Sequence, residues 1–504
     1  MSITTDHLHD DLPRRSVRSG AAVLIAQAIS IALGIVSVAV LGRLLSPEDF
    51  GVVAIASSFV AFVTMFADHG LPQSIVQREG ITEPQVNALF WLNCACGLGA
   101  ALIGCLIAWP VSIVFERPEL FGVIAALSAI LVITGLGAPH LALLQRQLRF
   151  RTHSIIGVVA SFLGIITATV TALLGWGYWA LVMMTVANTL FRTVAAWATC
   201  HWRPSKPALA EGIGPMVRIG AYLAGTSLVG TIARTADRIM IGYGLGNAAA
   251  GFYANANRLI LLPTNQVNTP LSSVAVPVFS RLQNDPDRFR AFYRRGVEVI
   301  FFVLSPFILV AMVGADHIVP LFLGAQWADS IPIFQALTPA ALIACTRVVT
   351  SWVYVPLGRT DRQFKWRVFA SIFMIGALLI GLNWGAVGVA AAFSIQALLI
   401  RGPAILYCLH GTFVQLNDVL SATWRVVLAI MVTLGVGFTF ISYLGDRFDD
   451  FWSIVLIAIV VFTTYAAAFS CTPGGWSRIR AMREVSRHLR SGSTREDAAV
   501  SEAD

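Results

Sequence analysis

The sequence predicts an all-α polytopic membrane protein, and three observations predict it. The 504 residues are 57% hydrophobic and 12% charged, whereas a soluble domain carries roughly 25% charged residues. Apolar stretches of about 20 residues, long enough to cross about 30 Å of hydrocarbon, recur along most of the chain. No stretch shows the alternation of polar and apolar side chains that a membrane β-barrel requires.

Each apolar stretch is predicted to be a helix. Lipid offers no hydrogen-bond partner to backbone polar groups, and a helix pairs these groups within the segment. We predict about fourteen transmembrane helices. The longest loops, of about 20 residues each on the same hydropathy reading, are expected around residues 67–87, 278–295 and 315–330. The predicted helix starts lie near Ser19, Phe50, Ala88, Phe121, Ser154, Tyr178, Met216, Gly251, Val297, Ile331, Val368, Ala386, Ala422 and Phe451.

Basic residues are concentrated in every second loop. They occupy the leader, the connections after the fourth, sixth, eighth and tenth predicted helices, and the tail, for example Arg14, Arg146, Arg203, Arg288 and Arg362. Because cytoplasmic loops carry an excess of Lys and Arg, this pattern predicts an even helix count with both termini in the cytoplasm. Topology also explains the net charge of +8 without a nucleic-acid partner.

An internal repeat is indicated by two glycine-flanked segments of equal length, 200 residues apart. Gly42–Gly51 reads GRLLSPEDFG, and Gly242–Gly251 reads GYGLGNAAAG. A repeat inside a polytopic membrane protein is typical of a transporter built from two bundles around a central site. The predicted parts are a cytoplasmic leader (1–18), a first six-helix lobe (19–205), a second six-helix lobe (206–408), a terminal helix pair (409–472) and a cytoplasmic polar tail (473–504).

Residue chemistry excludes several enzyme classes. Neither lysine, Lys206 or Lys365, follows a glycine, so the chain has no P-loop for ATP. It also lacks a GxSxG elbow and an HExxH pair. The seven cysteines lie in or beside apolar stretches and are interpreted as packing residues. We therefore predict no catalytic residue, no metal site and no cofactor.

Charged residues within predicted helices are the candidates for function. A charge at bilayer depth costs at least about 2.5 kcal/mol and commonly faces a wet cavity or a partner. Arg234 and Arg238 share a helix face, and Asp237 is spaced to pair with Arg234. With a rise of 1.5 Å per residue, Arg234 and Arg258 are predicted about 8 Å and about 10 Å from the outer ends of their helices.

Two interpretations of this layer stay open. Three arginines against one aspartate favour a cationic cavity for an anionic substrate, because the planar guanidinium binds phosphate in a bidentate manner. The alternative is that these arginines extend to the membrane interface or hold Asp237 in a structural pair. Asp68, at the end of the second helix, is a weaker candidate for a proton or cation site.

Two stretches carry a family resemblance. One runs from Asp237 to Gln283 and reads DRIMIGYGLGNAAAGFYANANRLILLPTNQVNTPLSSVAVPVFSRLQ, and the other reads LGRLLSPEDFGVVAIA. Both resemble Wzx-like polysaccharide transporters of the MATE-related exporter superfamily, and the resemblance covers nearly the whole chain. The matching positions are Asp237, Arg238, Gly251, Tyr253, Asn255, Arg258, Pro263, Pro277 and 280–283.

The resemblance implies a flippase for undecaprenyl-pyrophosphate-linked oligosaccharides in the bacterial inner membrane. It would serve exopolysaccharide, capsule or lipopolysaccharide biosynthesis by alternating access, among membrane lipids and with a polysaccharide polymerase or co-polymerase as a further partner. Asp237 is expected to form a structural or coupling ion pair. The expected substrate-binding residues are Arg234, Arg238, Arg258, Asn255, Asn257 and Tyr253. The alternatives are an ion-coupled drug antiporter of the same superfamily and a membrane glycan polymerase.

Overall fold

Long α-helices make up nearly all of the computed structural model, which describes residues 12–67, 72, 75–76, 81–207, 231, 235–444, 448–478 and 480. No β-strand occurs among these residues, and the predicted all-α fold is confirmed. The helices are α1 (Leu12–Leu44), α2 (Pro47–Ala67), α3 (Glu83–Val114), α4 (Pro118–Arg146), α5 (Phe150–Leu173), α6 (Trp179–Thr199), α7 (235–245), α8 (Asn247–Arg281), α9 (Pro286–Val313), α10 (Ala315–Leu323), α11 (Ser330–Tyr354), α12 (Thr360–Gly381), α13 (Gly385–Leu409), α14 (Leu416–Leu444) and α15 (Asp450–Cys471).

The described chain contains 11 stretches that are long and apolar enough to cross a membrane. One of them, Thr360–Leu409, contains both α12 and α13. The protein is therefore a multi-pass membrane protein, while the count of about fourteen spans stays a prediction.

Two of the predicted long loops are wrong. The segment 278–295 is largely helical, because α8 continues to Arg281 and α9 begins at Pro286. The Asp285 carboxylate accepts the Arg288 backbone N–H at 3.2 Å and caps α9, while Pro286 occupies its first turn. The segment 315–330 likewise contains α10. Hydropathy detects the apolar part of a helix and misses an amphipathic extension beyond it.

The chain packs as two compact units that do not follow chain order. Unit 1 comprises the described parts of Met1–Arg258, Val319–Ile333 and Arg367–Phe393. Unit 2 comprises those of Leu259–Ile318, Phe334–Trp366 and Ser394–Asp504. The predicted division into two lobes and a terminal pair stays a prediction.

Within unit 1, the two repeat segments lie against each other at the starts of α2 and α8. A Cβ atom on Gly51 would lie 1.8 Å from the carbonyl oxygen of Asn247, and one on Gly251 would lie 1.9 Å from that of Pro47. Both pairs are related by the same 200-residue offset, so the contact is reciprocal in the way that two-fold symmetry produces. We call this contact the glycine crossing.

Aromatic side chains brace the glycine crossing. The Trp327 indole N–H donates to the Gly42 carbonyl at 2.8 Å. The same ring packs edge-on against Phe50 on α2 and Phe252 on α8, with centroids 5.2 Å and 5.8 Å away. One buried tryptophan therefore contacts both helices of the crossing.

In unit 2, α14 and α15 pack on α9 through a continuous apolar core. The fully buried members include Leu309 and Val313 of α9, Val426 of α14, and Ile457 and Phe469 of α15. Dispersion and close packing hold such helices together in a bilayer, where lipid removes the hydrophobic driving force.

Candidate functional site

The predicted site lies on the hairpin of α7 and α8. The two helices are joined at Gly246, whose φ of +88° lies in the left-handed region that glycine adopts without a steric penalty. Of the predicted site residues, Arg234 lies outside the described part of the chain. Asp237 and Arg238 are on α7, and Tyr253, Asn255, Asn257 and Arg258 are on α8.

Asp237 is the buried carboxylate of the hairpin. Its side chain is 6% exposed and accepts the backbone N–H of Arg238 at 2.8 Å. The fully buried Tyr253 faces this carboxylate from α8. The Tyr253 hydroxyl makes no hydrogen bond of good geometry among the described residues, so it can still form one with a further group.

Arg238 lies beside Asp237, and Arg258 lies near Arg238. Arg238 and Arg258 are both half-buried, and their guanidinium groups are near enough to repel each other. Residues 235–281 contain only one acidic residue, Asp237, so the described hairpin carries a net positive charge. A charge excess of this sign suits an anionic group.

Arg258 lies deeper than its sequence position suggests. Because α8 begins at Asn247, Arg258 is about 16 Å from the start of the helix. The expected distance of about 10 Å assumed a helix start near Gly251, and α8 begins four residues earlier.

The structure divides the α8 residues between two faces. Tyr253 and Asn257 are four residues apart and share one face, whereas Asn255 and Arg258 are three apart and share another. Asn255 is buried, and its side-chain amide nitrogen has no partner among the described residues. The hairpin therefore brings Asp237, Arg238 and Tyr253 together, with Arg258 near Arg238 and Asn255 on the same helix face as Arg258.

A second polar site, absent from the sequence prediction, lies within the first six helices. It is a cavity of about 270 Å³ bounded by α2 to α6 in unit 1. The cavity is lined by Thr64, Pro72, Asn93, Gly97, Leu131, Thr134, Gly135, Ala138, Leu141, Ala142, Gln145, His153 and Arg192.

Arg192 is the cation of this cavity. It lies on α6 with Thr185 and Thr189, spaced at i, i+4 and i+7 on one helix face. The side chain is exposed, and no carboxylate of the described chain lies within ion-pair distance of it. This polar stripe is the signal in the sequence that could have identified the site, because the neighbouring Leu190, Phe191 and Val194 are apolar.

His153 and Gln145 form a hydrogen-bonded pair beside Arg192. Nε2 of His153 lies 3.0 Å from the side-chain amide nitrogen of Gln145. The amide and the imidazole can each donate or accept a hydrogen bond. The cavity thus presents a guanidinium beside a hydrogen-bonded imidazole.

Comparison with known proteins supports a family assignment. The lipopolysaccharide biosynthesis protein WzxC of Escherichia coli K12 is 27% identical over 408 residues, which cover 80% of this chain and 81% of WzxC. The succinoglycan biosynthesis transport protein ExoT of Rhizobium meliloti is 26% identical over 351 residues, which cover 69% of this chain and 71% of ExoT.

Solved structures share the fold. The lipid II flippase MurJ in an inward closed conformation aligns with a TM-score of 0.69 at 18% identity and covers 89% of this chain and 98% of its own. An inward-facing multidrug MATE transporter of the MOP superfamily aligns with a TM-score of 0.54 at 15% identity, covering 81% and 95%. At these identities the likeness concerns the fold alone.

Residues 40–332, more than half of the chain, match the family described as polysaccharide biosynthesis protein. The matched region contains the glycine crossing, the α7–α8 hairpin and the Arg192 cavity. The resemblance stated from Asp237–Gln283 is confirmed, and the chain belongs to the polysaccharide biosynthesis protein family.

Proposed function

We propose that this protein is a flippase. It moves undecaprenyl-pyrophosphate-linked oligosaccharide repeat units across the bacterial inner membrane by alternating access. The repeat units serve exopolysaccharide, capsule or lipopolysaccharide biosynthesis. The observation that carries the proposal is the net positive charge of the α7–α8 hairpin in a chain of this family. Relatives named for lipopolysaccharide biosynthesis and succinoglycan transport support the same substrate class.

In the proposed cycle, the lipid tail stays in the bilayer while the charged headgroup enters the protein. Arg238, Arg258 and Arg234 attract the pyrophosphate, and Asn257 and Tyr253 offer hydrogen bonds to the headgroup. Asp237 holds the arginines in place as their counter-ion. Both termini lie in the cytoplasm, as the basic loops predict, and a polysaccharide polymerase or co-polymerase receives the exported unit.

A deletion strain tests the function directly. Lipid-linked oligosaccharide is extracted, and its leaflet is assigned with a membrane-impermeant probe. Repeat units trapped on the cytoplasmic face and released by the intact gene are the expected result. Outward-facing units that stay unpolymerised would instead assign the protein as a polymerase. An unchanged glycan profile would favour the drug antiporter, although Asp237 beside Arg238 is a poor coupling carboxylate.

The site is tested by charge-removing substitution. The variant carrying Arg234→Gln, Arg238→Gln and Arg258→Gln should fail to restore export in the deletion strain. The matched control is Arg281→Gln, which removes an arginine at the far end of the same helix. Normal export by the triple variant would exclude these arginines as substrate carriers while leaving the flippase assignment intact.

A further inference from the structure

The cavity around Arg192 has the features of a binding site that is separate from the α7–α8 hairpin. We propose that it binds an oxyanion of the substrate headgroup, with Arg192 as the cation and His153 as a second donor. The oxyanion is either a phosphate of the lipid carrier or a carboxylate on a sugar. This inference rests on the proposed function, since it assigns a second position to the same substrate.

The position of Arg192 argues for a ligand rather than a structural role. It is the fourteenth of the 21 residues of α6 and lies about 10 Å before the helix ends at Thr199. A charge within a membrane-spanning helix is costly and commonly marks a substrate or ion pathway. Within the described chain, the Arg192 guanidinium has neither a carboxylate partner nor a backbone carbonyl to which it donates.

The neighbouring polar side chains donate hydrogen bonds to the helix backbone. Asn93 donates to the Gly135 carbonyl at 2.9 Å, Thr134 to the Ile130 carbonyl at 3.0 Å and Thr64 to the Val60 carbonyl at 2.8 Å. Their donors are therefore used within the helix bundle. Among the described residues, none accepts a hydrogen bond from the Arg192 guanidinium, and its N–H donors can therefore bind an oxyanion.

The apolar part of the cavity wall affects how strongly the site binds, and the cavity volume limits the size of the ligand. Gly97, Leu131, Ala138, Leu141 and Ala142 supply apolar surface, and a low local dielectric strengthens a charge-assisted hydrogen bond. A volume of about 270 Å³ lies just below the range of about 300–1,000 Å³ for drug-sized ligands. The cavity therefore fits one phosphate or one acidic sugar and not a whole oligosaccharide.

Binding to the full-length protein in lipid nanodiscs tests the site. Inorganic pyrophosphate and glucuronate are titrated separately by isothermal titration calorimetry. We expect one of them to bind the wild type and to bind Arg192→Gln at least ten-fold more weakly. Arg192→Lys keeps the charge but loses the bidentate geometry, so its affinity should fall by a smaller factor. The matched control is Arg151→Gln on α5, an exposed arginine that does not line the cavity, which should bind as the wild type does.

The probe that loses affinity identifies the source of the oxyanion. Loss of pyrophosphate binding assigns the site to the lipid carrier, and loss of glucuronate binding assigns it to an acidic sugar. Equal affinity of wild type and Arg192→Gln for both probes would overturn the inference, as would failure of both probes to bind the wild type. The thermal unfolding midpoint of each variant shows whether a loss reflects unfolding, and Arg192→Lys then carries the test.

The export assay separates this inference from the proposed function. If Arg192→Gln binds neither probe and traps repeat units in the cytoplasmic leaflet, both stand. If binding depends on Arg192 but the deletion strain traps no repeat units, the flippase assignment fails and the anion site survives. If the deletion strain traps repeat units and Arg192 affects neither binding nor export, only the cavity proposal fails.

Discussion

At the scale of single residues, the glycine crossing depends on Gly51 and Gly251, because glycine has no side chain. Any Cβ at Gly51 or Gly251 would overlap a backbone carbonyl of the other helix, and a carbonyl cannot move aside as a flexible side chain can. The sequence showed the repeated glycines at a fixed spacing. It could not show that they touch, because contact between elements 200 residues apart is decided by packing.

Substitution of these glycines should therefore destabilise the protein. Gly51→Ala should cost about 1–3 kcal/mol through overpacking, despite the gain of up to about 1 kcal/mol that alanine brings to a helix. The measurement is the midpoint of thermal unfolding in detergent. Gly99→Ala on α3 is the control, because a Cβ there meets no atom within 4 Å, and it should be neutral or stabilising.

The reciprocal contact at Gly51 and Gly251 leads to a second prediction, which the same thermal unfolding measurement tests. Gly251→Ala should cost as much as Gly51→Ala, and the double variant should cost less than the sum. One separation of α2 from α8 relieves both overlaps, so the two sites are coupled. The prediction would be contradicted if the stability losses of the two single variants added up in the double variant. It would also be contradicted if Gly51→Ala were as stable as Gly99→Ala.

The candidate site shows what residue-level prediction can reach. Spacing predicts that Arg234 and Arg238 share a helix face and that Asp237 can pair with Arg234. The substrate-binding role of these arginines, together with Arg258, Asn255, Asn257 and Tyr253, stays a prediction. Arg192 was missed because its cavity is built by five helices, and no local pattern records how they close.

At the scale of elements, the start of α14 is fixed by one buried carboxylate. Asp418 is 2% exposed and accepts hydrogen bonds from the Gln415 backbone N–H at 2.9 Å and from Nε of Arg290 at 2.8 Å. Arg294 lies 3.8 Å from the same carboxylate. The first turn of α14 is thereby tied to the first turns of α9, on which the helix packs.

Loss of the Asp418 charge should loosen this connection. Asp418→Asn should destabilise the protein by about 1–3 kcal/mol, because a hydrogen bond to a charged group is lost and Arg290 is left without its counter-ion. The measurement is thermal unfolding in detergent, together with hydrogen exchange of residues 414–420.

An exposed ion pair at the start of α9 provides the control. Asp285 and Arg288 are 3.3 Å apart with side chains 46% and 81% exposed. Asp285→Asn should cost less than about 1 kcal/mol, because exposed pairs contribute little and asparagine retains the helix cap. A loss as large as that of Asp418→Asn would show that burial does not decide the difference.

Helix identity was predictable from hydropathy, and helix starts were predictable where the apolar stretch begins in the first turn of the helix. The predicted starts at Phe121, Ser154 and Tyr178 lie within a few residues of the observed starts at Pro118, Phe150 and Trp179. The error of 11 residues at α9 arose because an amphipathic first part precedes the apolar one.

At the scale of the whole molecule, the proposed alternating access moves the two predicted lobes apart, and the glycine crossing joins α2 of the first predicted lobe to α8 of the second. We expect the crossing to separate in one half of that cycle. Cysteines introduced by Pro47→Cys and Asn247→Cys, joined by a short reducible thiol cross-linker, should therefore stop export. The assay is the leaflet distribution of lipid-linked repeat units, and reductant should restore it. Each single variant treated with the same reagent controls for reaction at the seven native cysteines.

Undiminished export by the cross-linked double variant would mean that α2 and α8 move as one body. The lobes would then have to open elsewhere, and the flippase assignment would be unaffected. This outcome is distinct from a failure at Arg192 or Arg258, because cross-linking changes no charge in either polar site.

The glycine crossing also bears on how fast such a transporter can work. Close backbone contact at Gly51 and Gly251 leaves no side chain between the two helices, but the Trp327 ring packs on both Phe50 and Phe252 and must leave at least one of them when the helices part. We therefore expect the repacking of this one ring, rather than of the glycines themselves, to slow the separation.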